Sequence, residues 1–396
     1  MPARKTKRGA QRTPITGNYD VIVCGASFAG LAAARELAGV RAAEGHPARV
    51  LMLDRYEIGE RSTSACAAPT EWLEALGLER SIRQRFETLV VHIPHTTVPY
   101  RLPWSFATFD YPTLCSLLDL QNDAQFETAT VTGRAVSAHA SEEEGPVTIV
   151  TDRGEVSAPL VVDALGWRRV LSPAGYQPPE GPLSRAIEVH PSGSGRQLEI
   201  WIDRSLVPAG YGWSFPAADE VRVGVGSFDP RYHVREPTVR LAERLDRALD
   251  RYQGNWIPHR LRDATEHGVF FAGDSAGHCM PLTAEGIRTA FYFGIACGRE
   301  LGDVLEGRKT RDDALRSYAS FSARHARQFK WMLRMQRLVP RVPPRALSIA
   351  ARAMGNRRFT HWAFNHYLNI AHPSFVSAAS LPATGANDAT PGELAA

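Results

Sequence analysis

Two acids stand where a bound nucleotide would need them. Asp274 ends an apolar run at 269–272 and follows Gly273; Pro281 and Gly286 come next, and a helix opens at Ile287. A carboxylate at a strand end can hold sugar-chain hydroxyls, the 281–286 loop can bring bare backbone near an aromatic ring, and a helix N-terminus offers free N–H groups to negative charge. Asp54 ends the apolar run 49–53, 24 residues after Gly30. Ahead of it, 19–24 reads as a buried strand. Gly25, Ser27 and Gly30 then fill the three positions of a dinucleotide fingerprint, and 31–38 continues as a helix. Glycines there allow the tight turn, the approach of pyrophosphate and helix–strand packing. Ser27 replaces the middle glycine, but it is small and its hydroxyl can bond phosphate. Asp54, with Arg55 beside it, falls where an acid meets ribose hydroxyls. The alternative is a strand–turn–helix without a ligand, and the arrival of strand, turn, helix, strand and acid in order argues against it. The pairing with Gly273-Asp274 narrows the dinucleotide to FAD.

A second group could form a pocket wall. Tyr211, Trp213 and Phe215 alternate along one run, which places them on one face of a strand. Ordinary core packing is the competing account of these rings. Cys66 follows the small, flexible stretch 61–65 and could equally be a buried small hydrophobe. His278 could donate a proton or face solvent. Glu285 could do no more than favour the start of the next helix.

These residues need a scaffold of 396 residues, 44% of them hydrophobic. The expected fold class is α/β: a Rossmann-type FAD-binding domain interleaved with an antiparallel-sheet substrate domain, plus C-terminal helices. The FAD-binding parts are 18–80, 145–172 and 262–310; the substrate parts are 81–144 and 173–261. A basic tail (1–17), a helical region (311–378) broken by prolines 340, 343 and 344, and a disordered tail (379–396) complete the chain. Strands are expected at 86–103, 147–150, 156–163 and in several segments of 183–228. Helices are expected at 111–120 and 238–251. The strand 161–163, followed by Gly166, suggests a third approach to the dinucleotide.

The five cysteines show no C-x-x-C spacing, so neither a zinc site nor a disulfide framework is expected, in keeping with a reducing cytoplasm. No apolar run is long enough to span a membrane. Net charge is +4, yet residues 314–387 hold eleven basic residues and no acid. The remainder is therefore acidic. In 321–339 the cations Arg324, Arg327, Lys330, Arg334 and Arg337 recur at helical spacing opposite Phe321, Phe329, Met332, Leu333, Met335 and Val339. Such a helix could touch anionic lipid, as a peripheral membrane contact, or a prenyl diphosphate. Alternatively it packs on the body, its arginines meeting the acidic domain. Nucleic acid is not an expected partner.

The run Tyr211-Gly212-Trp213-Ser214-Phe215-Pro216, followed by Gly224 and Gly226 on the next strand, resembles the geranylgeranyl reductase family, FAD-dependent enzymes of the p-hydroxybenzoate-hydroxylase-like superclass. Gly25, Asp54, Cys66, Gly273, Asp274, Pro281 and Gly286 extend the resemblance over roughly 19–310. It departs at Cys66-Ala67-Ala68, where the family usually has Cys-Gly-Gly, and at Tyr111, where many members have arginine. The resemblance implies FAD and a lipophilic isoprenoid-type substrate, with hydride delivered from reduced flavin to a carbon–carbon double bond. An isolated alkene withdraws no electrons, so protonation must lead or accompany hydride transfer. Aromatic faces would then stabilise cationic character by about 0.5–2 kcal/mol each. It also implies that Cys66 sits near the flavin ring, as a proton donor or a shaping residue. Electrons would come from NAD(P)H or a separate reductase, since no second glycine fingerprint is present. An FAD-dependent monooxygenase acting on a natural product, or a non-catalytic flavin sensor, would use the same architecture. Flavin halogenases carry a motif like 211–216 but need a lysine between it and the fingerprint. This chain has no lysine from 8 to 308, which argues against halogenation.

Overall fold

A computed structural model describes residues 13–62, 64–135, 145–172 and 181–377. Five parallel strands build the first sheet, in the spatial order Val269–Phe271, Leu160–Asp163, Val21–Cys24, Val50–Asp54 and Gln125–Thr128; Thr265–Glu266 adds an antiparallel edge. The three central runs are apolar and buried along almost their whole length, as a sheet covered on both faces requires. The helices Phe28–Arg35 and Ile287–Leu305 pack directly against each other. A Cβ at Gly294 or Gly298 would lie 2.5 or 2.4 Å from the carbonyls of Ala29 and Ala33, so only glycine permits this approach.

The second sheet has the order Gln253–Pro258, Leu183–Val189, Glu220–Ser227, Gly210–Ala217, Leu198–Trp201, Ile82–Ile93, Thr96–Phe109 and Ala67–Pro69. It is antiparallel except where Leu198–Trp201 runs parallel to Ile82–Ile93. Its two faces differ. Val189, Val221, Val223 and Val225 pack on Leu241 and Ala242 of the helix Arg235–Arg244. The opposite face carries Glu188, Trp213, Gly224 and Gln253 and meets the nucleotide-binding side.

Several expectations need correction. The run 156–163 is two strands: Gly154–Ala158 joins a small three-stranded sheet, and only Leu160–Asp163 enters the parallel one. The helix expected at 238–251 ends at Arg244, and an unforeseen strand, Gln253–Pro258, follows. Residues 13–17 are not loose: Ile15 is buried and its N–H donates to the Arg153 carbonyl. Residues 1–12 and 378–396 lie outside the described residues. The C-terminal region forms the helices Arg311–Ala323, Ala326–Leu338, Pro344–Met354 and Arg357–Leu368; the break before Pro344 falls at the expected prolines, while those at 324–325 and 355–356 hold none and were not expected.

Candidate active site

The fingerprint turn is held by backbone contact. Gly25 has φ +112, and a Cβ on Gly30 would lie 1.9 Å from the Gly25 carbonyl. Ser27 caps the Phe28–Arg35 helix by position, without a side-chain capping bond. Its hydroxyl instead meets the Tyr111 hydroxyl at 2.9 Å. Tyr111, where the resemblance departs, thus touches the residue best placed for phosphate. Asp54 accepts the N–H of Ala26 at 2.9 Å and that of Tyr56 at 3.0 Å, which ties the second strand's end to the fingerprint. Arg55 is exposed and its guanidinium lies over Tyr56. Asp163, read as a third approach, is a structural bracket: fully buried, it accepts from Leu165, Leu171 and Ser275.

Asp274 differs from the other two. Its carboxylate has no hydrogen-bond partner among the described residues. It lies near Gly286, where an added Cβ would be 3.6 Å from its Oδ1. Burial pushes its pKa up to about 6, against a partial offset from Arg262. A half-buried acid without a donor, beside two helix N-termini that lack side-chain caps, fits the polyhydroxyl chain and pyrophosphate of FAD. The sign of its pH effect follows. The folded pKa lies above the unfolded value, so the apoprotein loses stability as pH rises from about 4 to about 6. Asp274→Asn should abolish that decline in apoprotein thermal melts and also weaken FAD retention; an unchanged pH profile would exclude Asp274 as its source.

The loop after Asp274 is built with unusual backbone. Leu282 and Ala284 both adopt positive φ (68 and 52), a conformation costing about 1–3 kcal/mol for such residues. Pro281 is buried and Ile287 starts the following helix. Glu285 does more than favour the helix: it pairs with fully buried Arg288 at 2.7 Å. His278 neither faces solvent nor reaches the loop's open side. It is fully buried, stacked on Phe293 at 3.7 Å, and its Nε2 meets Ser322 at 3.0 Å.

Trp213 is fixed from two sides. Its Nε1 donates to Glu188 at 3.0 Å. Its ring lies over Gly224, where a Cβ would be 2.3 Å from the indole. Burial opposes charge on Glu188, yet the bond from His190 at 2.9 Å, with Gln253 and Arg222, holds its pKa below the usual carboxylate range. Gln253 also donates to the Ser64 carbonyl at 3.1 Å. Arg222 donates to the carbonyls of Ala65 and Cys66 at 2.9 and 3.1 Å. On the other side the Tyr211 hydroxyl donates to the Thr283 carbonyl at 2.5 Å, and the Tyr211 and Trp213 rings meet edge-on at 6.1 Å. Trp213 therefore stands between the Cys66 loop and the 281–286 loop, and the sheet is bonded to both. Phe215 is half-buried further along the strand, opposite Arg222, with no ring partner among the described residues.

Cys66 is buried, at φ 51, with its sulfur 3.2 Å from the Ser62 hydroxyl. Burial pushes the thiol up to about 11 despite the nearby Arg222 cation. It stays protonated at neutral pH. Glu188, Gln253 and Arg222 escaped the sequence reading. An acid and a histidine two apart, Glu188 and His190, at the end of the strand Leu183–Val189 were the available signal for the first.

No family model matches the chain. A digeranylgeranylglycerophospholipid reductase of Methanosphaera stadtmanae is 24% identical over 350 residues, 78% of this chain and 84% of the relative. The reductase of the same name from Methanocaldococcus jannaschii is 22% identical over 178 residues, and that match spans less than half of either protein, 40% and 43%. Among solved structures, a geranylgeranyl bacteriochlorophyll reductase-like protein of Thermoplasma acidophilum superposes with a TM-score of 0.75 at 16% identity, covering 91% of this chain and 98% of that one. A flavin-dependent brominase shares the fold at a TM-score of 0.66 and 14% identity, covering 91% and 98%. The chain is thus an FAD-dependent oxidoreductase by fold and similarity, similar in sequence to geranylgeranyl-type reductases and built on the FAD-binding flavoprotein fold.

Proposed function

We propose that this protein binds FAD and reduces carbon–carbon double bonds in a lipophilic, isoprenoid-type substrate. The observation that carries the reading is the placement of Trp213, an indole locked by Glu188 and Gly224 between the two loops that would flank a flavin ring. When bound and reduced, FAD supplies the hydride. The chain would hold it through the fingerprint amides, Ser27, Asp54, Asp274 and the N-terminus at Ile287. Trp213 and Tyr211 offer aromatic faces to cationic character at the alkene carbon. The ionised Glu188 behind Trp213 adds negative charge on the same side. Cys66, kept as a thiol, has a proton to give, and the half-buried Ser62 hydroxyl bonded to its sulfur could relay a replacement proton from solvent.

The deciding experiment reduces the protein's flavin without oxygen and then adds polyprenyl lipids. Alkene-dependent reoxidation of the flavin is the expected result. Reoxidation that requires oxygen and depends on substrate would instead support a monooxygenase. A chain that fails to take up FAD on reconstitution would defeat both readings.

A further inference from the structure

Among the described residues eight large apolar side chains are exposed, and six of them lie on three consecutive C-terminal helices: Trp331, Leu338, Ile349, Met354, Phe359 and Trp362. Trp331 and Trp362 are 58% and 63% exposed. Trp331 and Leu338 are seven residues apart and share one face of the Ala326–Leu338 helix. Phe329 and Met332, on another face, are buried against Met280. Phe359 and Trp362 touch, with ring centroids 5.6 Å apart. The same helices carry Arg327, Lys330, Arg334 and Arg337, then Arg345, then Arg357 and Arg358. None of these seven forms an ion pair among the described residues, in a stretch without a single acid from 314 to 387. The alternative weighed from sequence holds in one part only: the Ala326–Leu338 helix packs on the body through Phe329 and Met332, but no carboxylate among the described residues pairs with these cations.

We infer that this surface docks on an anionic lipid bilayer. A bilayer offers what the surface lacks: an anionic skin for unpaired arginines and an apolar layer for indoles and aliphatic side chains at its interface. A nucleic acid would satisfy the cations but leave Leu338, Ile349 and Met354 in water. A second copy of the chain would bring the same uncompensated cations to the contact. The helices also rest on the 281–286 loop: the Leu282 N–H donates to Gln336 at 2.7 Å, and Tyr367 meets Thr283 at 2.9 Å. Docking would therefore place that loop close to a lipid phase. The docking itself does not depend on which reaction the site performs.

The test is sedimentation of the full-length, FAD-loaded protein with vesicles of phosphatidylcholine alone or mixed with phosphatidylglycerol. Binding to the mixed vesicles should exceed binding to neutral ones by about tenfold or more, and should weaken as salt is raised. Arg327→Gln and Arg334→Gln should each cost about fivefold. Trp331→Ala with Trp362→Ala should cost at least about tenfold, with flavin content and turnover of detergent-dispersed substrate unchanged. Equal binding to both vesicle types, no binding, or binding indifferent to these substitutions would overturn the proposal. So would sedimentation showing that the exposed tryptophans hold a dimer, or vesicle-free capture of duplex oligonucleotide through the same arginines. Absence of alkene-dependent turnover in an unsubstituted protein that still binds the mixed vesicles would count against the reductase reading alone.

Discussion

Gly224→Val should lower turnover in the anaerobic alkene assay by about a hundredfold or more, equivalent to about 2.7 kcal/mol at the barrier, while the protein still carries FAD. A Cβ at 224 would lie 2.3 Å from the Trp213 ring and 2.6 Å from the Glu188 Cβ. Neither neighbour is the free end of a flexible chain. The indole is rigid and its N–H is committed to Glu188; Glu188 is committed to His190 and Gln253. The ring must leave its trough, and Glu188 loses a donor while remaining buried. Overpacking of this kind costs about 1–3 kcal/mol, and the stranded carboxylate adds to it. Gly25, Gly30, Asp54 and Asp274 lie on the other domain, so flavin absorbance after gel filtration should be retained. Trp213→Phe makes the complementary test. It keeps one aromatic ring on this face while removing the indole's second ring and the N–H that Glu188 accepts, so part of the stability and only part of the activity should be kept. Full activity in Gly224→Val would show that the indole does not bound the substrate.

The residues that were legible in the sequence are those whose meaning is local. Gly25 and Gly30 meet each other across one turn, and Asp54 and Asp274 each end their own strand. Trp213 could be placed on a face because alternation within one strand is enough. Glu188 could not: it meets Trp213 only because the strands Leu183–Val189 and Gly210–Ala217 both pair with Glu220–Ser227. Gln253 was hidden further by a helix read through to 251, whereas the chain turns after Arg244 into a strand whose Gln253 pairs with Glu188. His278 shows the opposite failure. Its loop position suggested a polar role, but stacking on Phe293 and full burial make it part of the core. The amphipathic pattern read over 321–339 as one helix was legible only for its second part, because the chain breaks at 324–325 between the helices Arg311–Ala323 and Ala326–Leu338. What its cations face was not, because net acidity elsewhere says nothing about which acids lie within reach.

Arg288→Met should reduce stability by about 3–5 kcal/mol, the largest loss expected from one substitution outside the glycines of the fingerprint turn. Arg288 is fully buried. Its Nε and Nη2 donate to the two oxygens of Glu285 at 2.7 and 2.9 Å, and its Nη1 donates to the carbonyls of Leu368 and Ala371 at 2.6 and 3.2 Å. Burial works against the guanidinium charge, but Glu285 outweighs it and keeps the pKa raised. One planar group therefore joins the 281–286 loop to the end of the helix Arg357–Leu368 and the turn Asn369–Ala371 that follows it. Methionine fills similar volume and supplies no donor, so the buried Glu285 carboxylate loses its cation and keeps only the Tyr367 hydroxyl, the Leu368 carbonyl loses its side-chain donor, and the Ala371 carbonyl keeps the Trp72 indole N–H. Arg288→Lys keeps the charge but not the fork that spans both carboxylate oxygens and the carbonyls, so it should recover only a fraction. Glu285→Gln combined with Arg288→Met should be less damaging than Arg288→Met alone, because the stranded carboxylate is gone. Urea unfolding of these proteins and of Glu285→Gln alone, at fixed FAD, measures this coupling. The same loop carries the positive φ values at Leu282 and Ala284, which persist only while their surroundings hold them. FAD retention should therefore fall in step with stability across the series. If stability dropped and FAD affinity did not, the clamp would serve the C-terminal helices alone.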